Sequence, residues 1–325
     1  MNMKKLCAIG EALIDFIPEK KGLRLKDVQR MKRVAGGAPA NVAASVARLG
    51  GQSKFITQLG NDAFGQHILE VFEHVGIDTS DICFTDDYHT ALAFVSLAAD
   101  GNRDFLFYRK ECADVMMSPT QISETAMDGC GALHFCSVDL VDSPMKQSHR
   151  KLVDMAKQQN AIVSFDPNVR LNLWDSEEAC RTAILEFLPD ADIIKISDEE
   201  LEFISGYTKI EDALDFFFKD RCSLLVYTMG KDGAAIYRKN KTKVTAAGYQ
   251  VNVFDTTGAG DSFIGAFLYR LLAEDTALGE YSDAQLESFL TFANLYAAHT
   301  TTKEGAIDAM ASMEELLAFQ QQLAK

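Results

Sequence analysis

Short apolar runs alternate along the chain with stretches whose apolar residues recur every three or four positions. Leu6, Cys7, Ala8 and Ile9 form one such run, closed by Gly10, which predicts a buried first strand with Asp15 near its carboxyl end. Pro39 near a first turn and Gly50 just past a last one bracket a helix expected over 42–49. Strands then follow over 54–59, 133–136, 162–165 and 193–196, separated by helices over 64–75, 145–158 and 177–188. Strands alternating with amphipathic helices predict βαβ units, an α/β fold whose mainly parallel sheet carries helices on both faces.

The rhythm breaks between these units. Residues 91–99 and 103–109 are β-like runs around Asp100-Gly101-Asn102, a good hairpin turn. Together with the segment between Asp15 and Ala35 they are expected to form a small inserted β-sheet, with lid segments at about 15–35 and 88–110 of a single domain over 1–325. The last third predicts strand 224–227, a turn from Gly230 to Gly233, a hairpin through Val244 and strand 251–254. Helices are expected over 262–272, 284–299 and 313–323.

Composition narrows the partners. A formal charge of −15 disfavours non-specific binding to nucleic acid or an anionic membrane, so an anionic substrate needs a local cationic or amide-rich pocket. The seven cysteines are scattered without a C-x-x-C pair, which reads as reduced thiols and a cytoplasmic protein. Gly10 and Glu11 end the first apolar run too early for a signal peptide, and no stretch is long enough to span a bilayer. The six histidines show no metal-ligand spacing.

Asp255-Thr256-Thr257-Gly258-Ala259-Gly260-Asp261 carries the chemistry. It sets small residues at a strand-to-helix turn, where unpaired amides and the helix dipole attract anions and glycine permits close approach. An isolated Gly-x-Gly-Asp could be only a helix cap, but a cap explains neither the repeated glycines nor the preceding Asp-Thr-Thr. G-x-x-x-x-G-K-[ST] is absent, and Gly258-Ala259-Gly260 lacks the third glycine of a dinucleotide fingerprint.

Four motifs in order resemble the ribokinase-like (PfkB) carbohydrate kinases from end to end, with the nearest likeness to bacterial fructokinases. They are Gly36-Gly37-Ala38-Pro39-Ala40-Asn41 continuing through Gly60 to Gly65, Asp166-Pro167-Asn168-Val169-Arg170, Ser197-Asp198-Glu199-Glu200, and Asp255 to Asp261 with Gly265-Ala266-Phe267. The resemblance implies an ATP-dependent sugar kinase with the ribokinase-like fold, D-fructose being the expected acceptor and fructose 6-phosphate the product. Other acceptors in the same chemistry are 2-keto-3-deoxygluconate and a nucleoside such as aminoimidazole riboside. From a different class comes an inactive sugar-binding sensor.

By the same resemblance Asp261 is the catalytic base, with the amides of Gly258, Ala259 and Gly260 and the guanidinium of Arg170 on the transferred phosphoryl group. Asp15, Gly37, Asn41, Phe105 and Arg109 are implied at the sugar; strand alternation would put Phe105 and Arg109 on one side of the lid. Lys195, Thr228, Gly230, Gly233 and Asn294 are implied at the nucleotide, and Glu200 at Mg²⁺ through water. Asp255 and Thr257 match the start of a monovalent-cation site, such as one for K⁺, in some members. Ala38 and Pro39 depart from the ribose-kinase pattern and argue against ribose, while Ser197, where many relatives have Asn, points to an altered metal-ordering network. Exposed lid strands would let two copies pair as a homodimer.

Overall fold

The computed structural model describes residues 3–20, 22–97 and 103–323; for residues 96–97 and 103–105 it describes the backbone alone. The chain opens with β1 (Lys5–Ile9), β2 (Leu13–Pro18), β3 (Met31–Gly36), α1 (Ala38–Arg48), β4 (Ser53–Gly60), α2 (Ala63–Val75) and β5 (Ile82–Thr85). Next come β6 (Ala91–Leu97), β7 (Arg103–Tyr108), β8 (Cys130–Cys136), α3 (Pro144–Gln158), β9 (Ile162–Asp166) and α4 (Glu177–Phe187). Then follow β10 (Ile193–Ser197), α5 (Leu201–Ser205), α6 (Ile210–Phe217), β11 (Leu224–Thr228), β12 (Ala234–Arg238) and β13 (Lys243–Ala246). Helices α7 (Ala259–Leu272), α8 (Asp283–Thr301) and α9 (Met313–Leu323) complete it.

Local chemistry explains many of the boundaries. Asp62 caps α2 by accepting from the amides of Phe64 and Gly65, and Gly76 ends that helix in the left-handed region at φ 89°. Ser143, Ser176 and Ser282 cap α3, α4 and α8 in the same way, Ser282 in a reciprocal box with Gln285.

Nine strands form the main sheet in the order β13-β12-β11-β10-β9-β8-β1-β4-β5. It is parallel from β5 to β11, and β12 and β13 extend it antiparallel. Alternate residues of each strand feed two cores. Leu6 and Ala8 of β1 pack with α1, α2, α7 and α8, whereas Cys7 and Ile9 pack with α3, α4 and α6 on the other face. Aromatic pairs such as Phe135 on Phe165, with centroids 4.8 Å apart, fill the second core.

The inserted segments form a separate four-stranded sheet in the order β3-β2-β6-β7. Its two hairpins are antiparallel, and β2 and β6 join them in parallel. The Asp100-Gly101-Asn102 turn lies outside the described residues.

The strand expected over 251–254 does not form. That stretch joins neither sheet; Phe254 donates its amide to Thr301 O at 2.8 Å, and Val253 and Phe254 are 59% and 51% exposed. Periodicity also passes over β5, α5 and α6, all short, and starts α1 and α7 several residues late. No described helix is long and apolar enough to cross a membrane.

Candidate active site

The parallel strands end at one edge of the main sheet, where a doubly wound fold leaves a crevice. Helix α7 begins there. Gly258, at φ 73°, opens it without any side-chain cap, and the helix starts at Ala259. Asp261 therefore lies within the first turn and is not the capping residue. Its carboxylate is buried, accepting from Asn41 Nδ2 at 2.8 Å and from Asn168 Nδ2 at 3.4 Å. Burial raises the Asp261 carboxyl above its ordinary range, against the Asn41 hydrogen bond and the charges of Lys195 and Arg170.

Asn41 reaches Asp261 because α1 starts beside α7. Gly37, at φ 127°, precedes α1, and a Cβ there would lie 2.1 Å from Glu11 O, so backbone contact excludes a side chain. Glu11 Oε1 accepts from the Ala38 amide at 2.6 Å. Asp15, paired between Val34 and Ala93, overlies this junction, with Oδ2 2.8 Å from where a Cβ on Gly36 would be. Burial, then the Asp255 charge, raises the Asp15 carboxyl to about 7.

Past β9, Asp166-Pro167-Asn168 turns the chain, Asn168 holding a left-handed φ of 44°. Asp166 Oδ2 accepts from Lys195 Nζ at 2.9 Å. Glu200 Oε1 accepts from the Val169 amide at 2.7 Å, and Oε2 from the amide and hydroxyl of Ser197 at 2.8 and 2.9 Å. Burial alone would raise Glu200, but the Lys195 charge and these hydrogen bonds hold it below its ordinary value. Ser197 thus replaces the expected amide with a hydroxyl donor. Arg170 is exposed and donates to Val169 O at 3.0 Å, its charge still reaching Asp261.

The nucleotide-side residues gather at a second point. A Cβ on Gly233 would meet Ala246 O at 2.2 Å, and Asn294 Nδ2 donates to Ala246 O and Ala247 O at 3.1 Å each. Asn294 therefore braces the turn after β13. Thr228 ends β11 and donates to Ile196 O at 3.3 Å, while Gly230 turns at φ 54°. Asp255 Oδ1 accepts from the Thr257 amide and hydroxyl at 3.0 and 2.8 Å, and Oδ2 from the Gly305 amide at 3.3 Å.

The lid residues depart from expectation. Arg109 commits its guanidinium to protein acceptors. It is 8% exposed and donates through Nε and Nη2 to Asp114 Oδ2 at 3.1 and 2.8 Å, through Nη1 to Val138 O at 3.3 Å, and through Nη2 to Asp139. The reason is local: alternation continues past β7, with Leu106 and Tyr108 exposed and Phe107 and Arg109 turned inward, and on that inner side Arg109 meets Asp114 and Asp139. Phe107 packs on Leu13, Ala91, Ala93 and Cys112. The side chain of Phe105 lies outside the described residues.

Asn168, Asp166 and Glu11 escaped the assignment of roles from sequence. The first two stand inside a recognised motif. For Glu11 the available signal was an acidic residue directly after a buried strand, next in space to a glycine that tolerates no Cβ.

A carboxylate oriented by two amides at an uncapped glycine-rich helix start is suited to deprotonating a hydroxyl beside a phosphoryl group. The pfkB carbohydrate kinase family matches residues 3–313. The chain belongs to the pfkB family of carbohydrate kinases. This kinase is 40% identical over 313 residues to fructokinase-2 of Solanum habrochaites, spanning 96% of this chain and 94% of that one. It is 38% identical over 311 residues to fructokinase-1 of Oryza sativa subsp. japonica, spanning 95% of both. Among solved structures, the kinase resembles a Xylella fastidiosa fructokinase with bound ATP at a TM-score of 0.91 and 32% identity, over 99% and 100% of the two chains. A fructokinase double mutant from Vibrio cholerae O395, bound to fructose, ADP and potassium ion, matches at 0.87 and 31%, over 98% of each chain.

Proposed function

We propose that this kinase transfers the γ-phosphoryl group of ATP to D-fructose, giving fructose 6-phosphate and ADP, with Asp261 as general base. The observation that carries this reading is the Asp261 carboxylate, buried yet doubly oriented at the mouth of α7. The fructokinases among its relatives support the acceptor.

The sugar would lie between the main-sheet edge and the small sheet, with Asp15 and Asn41 binding hydroxyls; Asn41 Oδ1 is buried and has no partner among the described residues. Asp261 takes the proton of the attacking hydroxyl as that oxygen approaches phosphorus in line. Charge on the transferred group falls on the amides of the Gly258–Gly260 turn and on Arg170, and positioning supplies most of the rate. Closure of the small sheet would exclude water.

The described residues hold no cluster of three or more metal-ligating side chains. A Mg²⁺ ion usually arrives with nucleotide phosphates and keeps several waters, so an acidic side chain can act on it through water. Glu200, anionic and with one acceptor position to spare, would order such a water, and the ion would offset phosphate charge. Asp255, Thr257 and the Gly305 region fit the K⁺ site.

An anionic acceptor such as 2-keto-3-deoxygluconate would need a further cation from Arg103 or Arg109; Arg109 is committed to Asp114 and Asp139, and the Arg103 side chain lies outside the described residues. We further read the enzyme as cytoplasmic, in keeping with its seven free cysteines, and as a homodimer through the lid, where Leu106 and Tyr108 are 45% and 59% exposed. Sedimentation at the monomer mass would remove the dimer. ADP release with MgATP is expected with fructose and not with ribose, 2-keto-3-deoxygluconate, aminoimidazole riboside or adenosine; silence with fructose would overturn the assignment.

A further inference from the structure

Lys195 is 6% exposed, yet it is an ammonium among three carboxylates. Its Nζ lies 2.9 Å from Asp166 Oδ2, and the charges of Glu200 and Asp261 act on it as well. It also sits under the glycine turn, 3.2 Å from where a Cβ on Gly260 would be. Lys195 is thus buried behind the anion-binding turn, with one of its donors committed to Asp166.

Asp166 passes the contact on. Its other oxygen accepts from the Asn168 amide at 3.2 Å, and Asn168, at φ 44°, turns its side chain to Asp261 Oδ1 at 3.4 Å. A continuous hydrogen-bonded path runs from β10 through the end of β9 to the first turn of α7. Of the two cations that act on Asp261, Arg170 is exposed and screened by water, whereas Lys195 is buried.

We propose that the Lys195–Asp166 pair is a positioning unit for the general base, aligning Asp261 through Asn168. This rests on Asp261 being the base. In this role Lys195 acts through Asp166 and Asn168.

The test is the Lys195→Met/Asp166→Asn double variant, which removes both charges together and keeps an acceptor for the Asn168 amide. We expect KM for ATP and for fructose within about twofold of wild type. We also expect kcat about tenfold lower at neutral pH with the acid limb of its pH profile little moved, because the Lys195 and Asp166 charges, which act on Asp261 in opposite directions, are removed together. An unchanged kcat, or a raised KM for ATP, would overturn the proposal. Asn168→Gly, which keeps the left-handed backbone and deletes the amide, provides a second reading should the double variant not fold. Its kcat should fall several-fold at constant KM, and wild-type kcat there also overturns the proposal. Asp261→Ala assayed in parallel separates the failures, since turnover surviving in that variant removes the base assignment itself.

Discussion

Asp261→Asn is expected to lower kcat by at least about 100-fold, on the scale of general-base catalysis, and to leave the fold intact. Asparagine fills the same space, and its single amide oxygen can still accept from one of Asn41 and Asn168, but it cannot take a proton from the attacking hydroxyl. Because burial disfavours the Asp261 carboxylate, removing its charge should leave thermal stability equal or higher. Initial-rate ADP release and a thermal melt on the same preparation check both halves. A variant that turns over at more than about a tenth of the wild-type rate would mean that another group accepts the proton.

Arg109→Leu is expected to destabilise the protein by about 3–5 kcal/mol, the cost of stranding buried charges by removing their partner. Asp114 and Asp139 are 0% and 1% exposed, and both depend on this guanidinium. The Arg109 charge also opposes the rise of Glu11, whose carboxyl burial pushes to about 7. Urea unfolding at neutral pH measures the loss, and adding Asp114→Leu should restore part of it. Wild-type stability together with a raised KM for fructose would instead restore Arg109 to the sugar.

Arg109 also shows where reading from sequence stops. Alternation along β7 sets Phe107 and Arg109 on one side, but that Asp114 and Asp139 wait on that side is nothing the periodicity encodes. The long βαβ units are legible because buried parallel strands and amphipathic helices impose unmistakable patterns. Residues 251–254 have a strand's composition and lack only a neighbour to pair with, a property of the sheet rather than of the segment.

At the site, Asp261 and Asn41 stand out through their glycine-rich surroundings. That they touch, 220 positions apart in the chain, follows from α1 and α7 starting side by side. Asn294 is expected at the nucleotide by resemblance, and its amide holds the backbone of Ala246 and Ala247, a partner no spacing rule could name. Glu11 and the Lys195–Asp166 pair share this difficulty, because their meaning lies in what surrounds them once β1, β9 and β10 are set in one sheet.

The strand order has a consequence for biosynthesis. Strand β1 lies in the interior of the sheet, and the apolar face it shares with α1 is closed by α7 and α8, which begin only at Ala259 and Asp283. On the ribosome, the emerging chain must therefore carry Leu6, Ala8 and the inner side of α1 uncovered until nearly all of it has been made. A prematurely terminated product would be a chaperone client or an aggregate, and not a weaker enzyme.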